Sequence, residues 1–219
     1  MLLKIENLYK SYQVNNKKIH ILNDLSLSVN DNEIISIFGA SGSGKSTLLN
    51  IISGLLSYDS GEIYFNRNIF NSSFNFTNYR KNDIGIVFQE DFLLKEFNVI
   101  ENIMIPNIIK GIEKKTAYNN AMNFLEKFNL SSIKDQYPSS LSGGEKQRVS
   151  IIRSVINKPK LILADEPTGS IDEENKNKVF SLFESISNDL NTSILIMTHD
   201  NNVSNISNNI LNLSKGKLK

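Results

Sequence analysis

The stretch Gly39-Ala40-Ser41-Gly42-Ser43-Gly44-Lys45-Ser46 satisfies the spacing G-x-x-x-x-G-K-[ST] and follows directly on the apolar run Ile34 to Phe38. That juxtaposition narrows the choice of fold more than anything else in the chain. A short continuous apolar run is the pattern of a strand covered on both faces, and such strands belong to parallel sheets flanked by helices. Leu48, Leu49 and Ile52 then share a face and Gly54 is placed to stop them, which predicts a helix starting near Lys45. Glycines let the backbone fold round an anion without side-chain obstruction, so that successive N–H groups and the helix N-terminus face the negative charge. Strand, loop and helix together predict a triphosphate site. Lys45 would reach the β- and γ-phosphates, the Ser46 hydroxyl would be a Mg²⁺ ligand, and Thr47 would contact the α-phosphate.

The rest of the chain is organised around that unit. Leu2 to Tyr9 and Ile19 to Val29 alternate apolar and polar residues about an Asn-Asn-Lys-Lys turn, as paired antiparallel strands do. Glu62 to Phe65 and Ile84 to Phe88 read as further strands, and the Asn- and Ser-rich stretch from Asn66 to Asp83 between them reads as a surface loop. From about Asn98 to Ser132 the spacing turns helical, with Ala117, Ala121, Phe124, Leu125 and Phe128 on one face, which suggests a helical lobe inserted in an α/β body. Glu145 to Ile156 continues as helix. Leu161 to Leu163 and Ile194 to Met197 are short buried strands, and Val179, Leu182, Phe183, Ile186 and Leu190 mark a helix between them. No internal repeat and no disordered tail is evident.

Leu161-Ile162-Leu163-Ala164-Asp165-Glu166 is an apolar strand ending in two carboxylates. Helix capping ahead of Pro167 would account for them in isolation. Beside Lys45 they suggest a reaction centre, with Asp165 holding Mg²⁺ through water and Glu166 taking a proton from an attacking water as general base. Adjacent acids on a strand point to opposite sides, which suits two roles. Leu141-Ser142-Gly143-Gly144-Glu145 starts a helix with Ser142 as N-cap and two glycines that leave backbone amides open to a second anion.

Composition excludes several function classes. Twenty-four basic against twenty-three acidic residues leave a net charge of +1, so no global field would recruit nucleic acid or an anionic bilayer. The chain has no cysteine, which removes disulfides and thiolate metal sites and accords with a cytoplasmic setting. No apolar stretch is long enough to span a bilayer, and Met1 to Lys10 lacks the apolar core of a signal peptide.

Taken in order, these motifs resemble the nucleotide-binding domains of ATP-binding-cassette proteins over nearly the whole chain. The resemblance implies an α/β P-loop NTPase fold with an N-terminal antiparallel β-subdomain and an inserted α-helical subdomain. It further implies one ATPase domain, a RecA-like core over about 1–90 and 145–219, and a helical part over about 91–144. In that family residues 141–145 are the signature segment, which usually ends in Gln where this chain has Glu145. Ser142, Gly143 and Gly144 would contact phosphate. Tyr12 looks like the aromatic that stacks on adenine, Gln89 like the glutamine that senses Mg²⁺ and the reacting water, and His199 like the switch histidine at the γ-phosphate. Asp172 resembles the acid of the loop that reaches the partner subunit. His20 has no comparable setting and reads as surface.

The family works as a head-to-tail homodimer with each ATP between one subunit's phosphate loop and the other's signature segment, coupled to integral-membrane permease subunits. Phe92, Leu93, Leu94, Phe97 and Met104 resemble the region where such a partner docks. Peripheral attachment to the inner face of the cell membrane is therefore expected. Pro167 to Asp172 and Glu101 to Pro106 look most like subunits serving lipoprotein release, macrolide export or cell division in bacteria, with lipoprotein release favoured. The alternative is a regulatory or scaffold cassette that uses ATP as a dimerising ligand with little turnover. The chain ends soon after the last expected strand, with no appended regulatory domain expected.

Overall fold

The computed structural model describes residues 1–219 apart from Asn16 and Ser170. Two sheets organise it. β1 (Leu3–Val14) and β2 (Lys17–Val29) form the expected antiparallel pair, extended by β4 (Ser60–Phe65) and β5 (Asn68–Ile69) into a four-stranded sheet of order β2-β1-β4-β5. The second sheet runs β10-β9-β3-β8-β7-β6, built from β3 (Ile34–Phe38), β6 (Ile84–Val87), β7 (Leu161–Asp165), β8 (Ser193–Thr198), β9 (Asn209–Ser214) and β10 (Lys217–Leu218). Its β3, β6, β7, β8 and β9 are parallel, with β10 antiparallel at one edge. β9 and β10 extend the chain's strand content beyond Ile194–Met197, where the sequence pattern ends its last strand.

Period-two alternation in the central strands divides the core. Leu161, Leu163, Leu195 and Met197 face one cluster with Leu48, Leu49 and Ile52 of α1 (Lys45–Ile52) and the apolar face of the antiparallel sheet. Ile162, Ala164, Ile194 and Ile196 face the other, shared with α5 (Gly143–Val155) and α6 (Glu173–Leu190). That second cluster also takes in Ile100 and Ile103 of α3 (Val99–Ile109) and Ala117, Ala121 and Leu125 of α4 (Lys114–Lys127). Each buried Leu, Ile or Met contributes about 1.5–3 kcal/mol by leaving water. The helices after Gln89 are thus joined to the sheet by continuous apolar packing through α5.

The stretch from Asn66 to Asp83 is not the loop its polar composition predicts. It contains β5 and α2 (Phe76–Asn82), the latter capped by the Asn75 side chain, which accepts from the Asn78 N–H at 2.9 Å. Phe70 and Tyr79 are buried, and Phe65, Phe70, Phe74, Phe76 and Tyr79 pack edge-on or tilted at 4.4–5.5 Å between centroids. Four aromatics spaced among asparagines and serines outweigh the polar average, because their large apolar rings pack on one another and into the core.

Gly54 joins this cluster to α1. Its φ is 69°, and a Cβ there would lie 2.1 Å from Phe76 Cδ1. Gly54→Ala combines left-handed strain with overpacking, so unfolding stability should fall by about 2–4 kcal/mol. Denaturant titration checks this, as a lower midpoint at an unchanged m-value.

Candidate functional site

In a parallel sheet every strand delivers its C-terminal end to the same edge, and the loops there share one crevice. β3 and β8 run in register with Phe38 opposite Thr198, β8 and β7 with Met197 opposite Asp165, and β7 and β6 with Ala164 opposite Val87. The glycine loop after β3, His199 after β8, the acid pair at the end of β7 and Gln89 after β6 therefore emerge together. Ser41, Gly42, Ser43, Gly44, Lys45, Ser46, Thr47, Gln89, Glu166 and His199 line one cavity of about 450 Å³, with Ile21 of β2 as a further wall.

The loop geometry follows from its glycines. Gly44 is the N-cap of α1 at φ 107°, and a Cβ on it would meet Ile21 and Leu22 side chains at 3.1 Å. No side chain caps α1, so the amides of its first turn are left for an anion. Lys45 is buried, and its Nζ donates to the Gly39 carbonyl at 2.6 Å and the Ala40 carbonyl at 3.4 Å. It also pairs with Glu166 Oε1 at 3.2 Å. Glu166 Oε2 lies 2.9 Å from His199 Nδ1 and accepts the His199 backbone N–H at 3.1 Å. Lys45, Glu166 and His199 thus form a chain of contacts from the loop to β8.

The two acids differ in environment. Asp165 is the last residue of β7, and burial pushes its carboxyl above the usual range, opposed in part by the Ser46 hydroxyl. Its Oδ1 is buried with no hydrogen-bond partner among the described residues, as is Ser43 Oγ. For Glu166, burial alone would raise the pKa, but hydrogen bonds from His199 and Lys45 outweigh it and hold the carboxyl below its usual range. The two acids do not diverge by strand alternation. Glu166 has left the strand at φ 47°, held by its N–H donating to the Met197 carbonyl at 2.7 Å. The turn aims its side chain at Lys45.

The remaining sequence candidates lie elsewhere. Ser142 caps α5 in a reciprocal box with Glu145: its N–H donates to Glu145 Oε2 at 2.8 Å, and the Glu145 N–H donates to Ser142 Oγ at 3.3 Å. Gly144 is buried, and a Cβ there would come within 2.6 Å of Asn175 of α6. Asn175 donates in turn to the Asp172 carboxylate, which caps α6. Ser142, Gly143, Gly144 and Asp172 do not line the cavity. Tyr12 stands on β1, 40% exposed, with Lys10 Nζ 5.4 Å from its ring centre, and does not line the cavity either. His20 is exposed, as the sequence suggests.

Residues 22–169, more than half of the chain, match the family model described as ABC transporter. The chain belongs to the ABC transporter family. It is an ATPase of that family. It is 43% identical over 202 residues to the "Lipoprotein-releasing system ATP-binding protein LolD" of Buchnera aphidicola, covering 91% of this chain and 89% of that protein. Its identity to the LolD of Rickettsia bellii is 41% over 219 residues, covering 99% and 97%. Among solved structures, the dimeric cassette MJ0796 matches at a TM-score of 0.90 and 32% identity, covering 100% of this chain and 97% of that one. The same cassette in a dimeric post-hydrolysis state bound to ADP and Pi matches at 0.89.

Several residues that support this ABC site carry no motif. Buried Gln147 of α5 donates to the Phe88 carbonyl at 3.2 Å, and Arg153, two turns on, donates to the Asp91 and Phe92 carbonyls at 2.7 Å each. Together they anchor the segment that presents Gln89. Polar residues on the apolar face of the helix after the signature segment are the sequence signal that marks them. Asp200, next to His199, is a second case, and its contacts extend across three elements.

Proposed function

We propose that this chain is the ATP-hydrolysing subunit of a bacterial ABC complex that powers integral-membrane permease subunits, and that the complex releases lipoproteins from the inner membrane. What carries the reading is the convergence of Lys45, Glu166 and His199 in one cavity beside an uncapped helix N-terminus. LolD relatives at about 40% identity along almost the full length support the lipoprotein assignment over the scaffold alternative.

In this reading the loop from Gly39 to Thr47 binds the triphosphate, and Lys45 turns from Glu166 to the β- and γ-phosphates. Glu166, kept as a carboxylate, accepts the proton of the attacking water, and His199 and Gln89 orient it from either side. The unpartnered Asp165 Oδ1 with the Ser46 hydroxyl fits a hydrated divalent cation, so Asp165, Ser46 and Gln89 would hold Mg²⁺. When bound, Mg²⁺ supplies charge neutralisation at the β- and γ-oxygens.

Tyr12 would flank the adenine from outside the cavity wall formed by Ile21. Ser142, Gly143, Gly144 and Asp172 would serve the nucleotide of a partner copy in a head-to-tail homodimer. The helical part over about 91–144 would carry the permease contact: Phe92, Leu94 and Phe97 are 57%, 44% and 41% exposed, while Leu93 and Met104 are buried as core. Among the described residues no helix is long and apolar enough to cross a membrane. Attachment would be peripheral, on the cytoplasmic face.

The test is reconstitution with the cognate membrane subunits in proteoliposomes carrying a fluorescent lipoprotein. ATP-dependent release of the lipoprotein to a soluble acceptor is the expected result. Nucleotide-dependent recruitment without release would decide for the scaffold role.

A further inference from the structure

Asp200 lies beside His199 but its side chain turns away from the cavity and is only 10% exposed. Its Oδ2 accepts the Thr168 hydroxyl at 3.2 Å and pairs with Lys176 Nζ of α6 at 3.2 Å. Its Oδ1 accepts the Asn202 N–H at 3.0 Å, capping the 3₁₀ turn Asn201–Asn205, and its own N–H donates to Thr198 Oγ1 at 3.0 Å. Thr168 is 1% exposed and stands two residues after Glu166. Lys176 also pairs with Glu173 at 2.6 Å, and the Asn202 side chain donates to Glu173 at 3.2 Å. One carboxylate therefore ties together the loop that carries His199, the segment after Glu166 and the first turns of α6, which Asp172 caps.

We propose that Asp200 is a positioning residue that locks the His199 loop to the Glu166–Asp172 segment, so that the histidine and the base hold their mutual geometry during ATP hydrolysis. The argument is mechanical. His199 and Glu166 touch through Nδ1 and through the His199 N–H, and both contacts depend on how the end of β8 sits against the turn after β7. Among the described residues between Glu166 and Asp172, Thr168 meets Asp200 directly. A buried carboxylate that accepts from a hydroxyl, an ammonium and an amide is directional in a way that apolar packing is not. Small displacements of reacting groups are amplified in rate, to about a hundredfold for 1 Å.

The two oxygens have separable duties. Asn caps a helical turn as well as Asp does. Asp200→Asn can therefore keep the Oδ1 bond to Asn202 while presenting an NH₂ group to the Lys176 ammonium and reversing the direction of the bond with the Thr168 hydroxyl. Thr168→Val and Lys176→Met cut the same tie from its other side without touching the cap.

The inference rests on the ATPase reading above, and the experiment separates the two. Steady-state hydrolysis by the full chain with MgATP is measured for the parent, Asp200→Asn, Thr168→Val, Lys176→Met and the Asp200→Asn/Lys176→Met pair. The His199 ring resonance is followed alongside; the chain has two histidines, so exposed His20 is an internal reference.

Asp200→Asn should lower kcat by about tenfold or more, leave KM within about twofold, and shift or broaden the His199 resonance alone. Thr168→Val should do the same, and the double variant should lose no more than Asp200→Asn does, because both changes break one link. An unchanged kcat and an unmoved His199 resonance in Asp200→Asn would overturn the inference. So would additive losses in the double variant, or a kcat loss that tracks a lowered unfolding midpoint. A parent that hydrolyses no ATP would count against the ATPase reading instead, while the resonance would still report on the tie.

Discussion

Glu166→Gln should reduce the rate of ATP hydrolysis by about a hundredfold to a thousandfold while leaving nucleotide binding intact. The substitution keeps shape, removes the group that accepts a proton and neutralises the charge paired with Lys45, and general-base contributions of 10²–10⁴ are the usual range. Three features make the removal selective. Glu166 is held as a carboxylate by His199 and Lys45, it lines the cavity, and none of the loop amides depends on it. With Gln in place an ATP-bound dimer should accumulate, since the contacts that close it are no longer lost to hydrolysis. Size-exclusion chromatography with MgATP reads this directly as a doubled mass. A variant that stays monomeric and still turns over would remove Glu166 from the chemistry and leave it as a tether for Lys45.

Lys45→Ala should act one step earlier, on binding itself. The ammonium is fixed by the Gly39 and Ala40 carbonyls at the mouth of α1, where no other cationic side chain lines the cavity among the described residues. A charge-assisted hydrogen bond to phosphate is worth about 1.5–3 kcal/mol, so the dissociation constant for MgATP should rise by about 10- to 100-fold. Titration calorimetry checks it. A variant that binds as tightly as the parent would mean that the triphosphate lies elsewhere. Lys45→Ala also deprives half-buried Glu166 of a cation, so a thermal scan belongs beside the titration to separate lost binding from lost fold.

The contrast between these substitutions reflects how the site is built. Lys45 belongs to a local unit whose parts are contiguous in the chain, so its proposed role is legible from eight residues. Glu166 takes its position from contacts with residues 121 positions before it and 33 after it, Lys45 and His199. The motif at 161–166 announces two acids, but what turns Glu166 toward the lysine is a positive-φ turn that no propensity predicts for a glutamate. In the same way the sequence reads Asn66 to Asp83 as loop because its average is polar, while the fold uses Phe70, Phe74, Phe76 and Tyr79 to extend the core beneath the antiparallel sheet.

By itself the sequence determined the strand, glycine loop and helix at 34–52, the antiparallel opening pair, the helical stretch after Gln89 and which residues to propose around a triphosphate. Those are consequences of period and of backbone freedom, which act over a few residues. Only the tertiary structure decided that β8 lies between β3 and β7, that parallel register brings Phe38, Thr198 and Asp165 to one edge, and that Gln147, Arg153 and Asp200 hold the surrounding loops. The physical reason is that strand order and loop anchoring are settled by which apolar faces can be covered together and which buried polar groups find partners. Both depend on pairs of residues far apart in the chain, and neither leaves a local pattern to read.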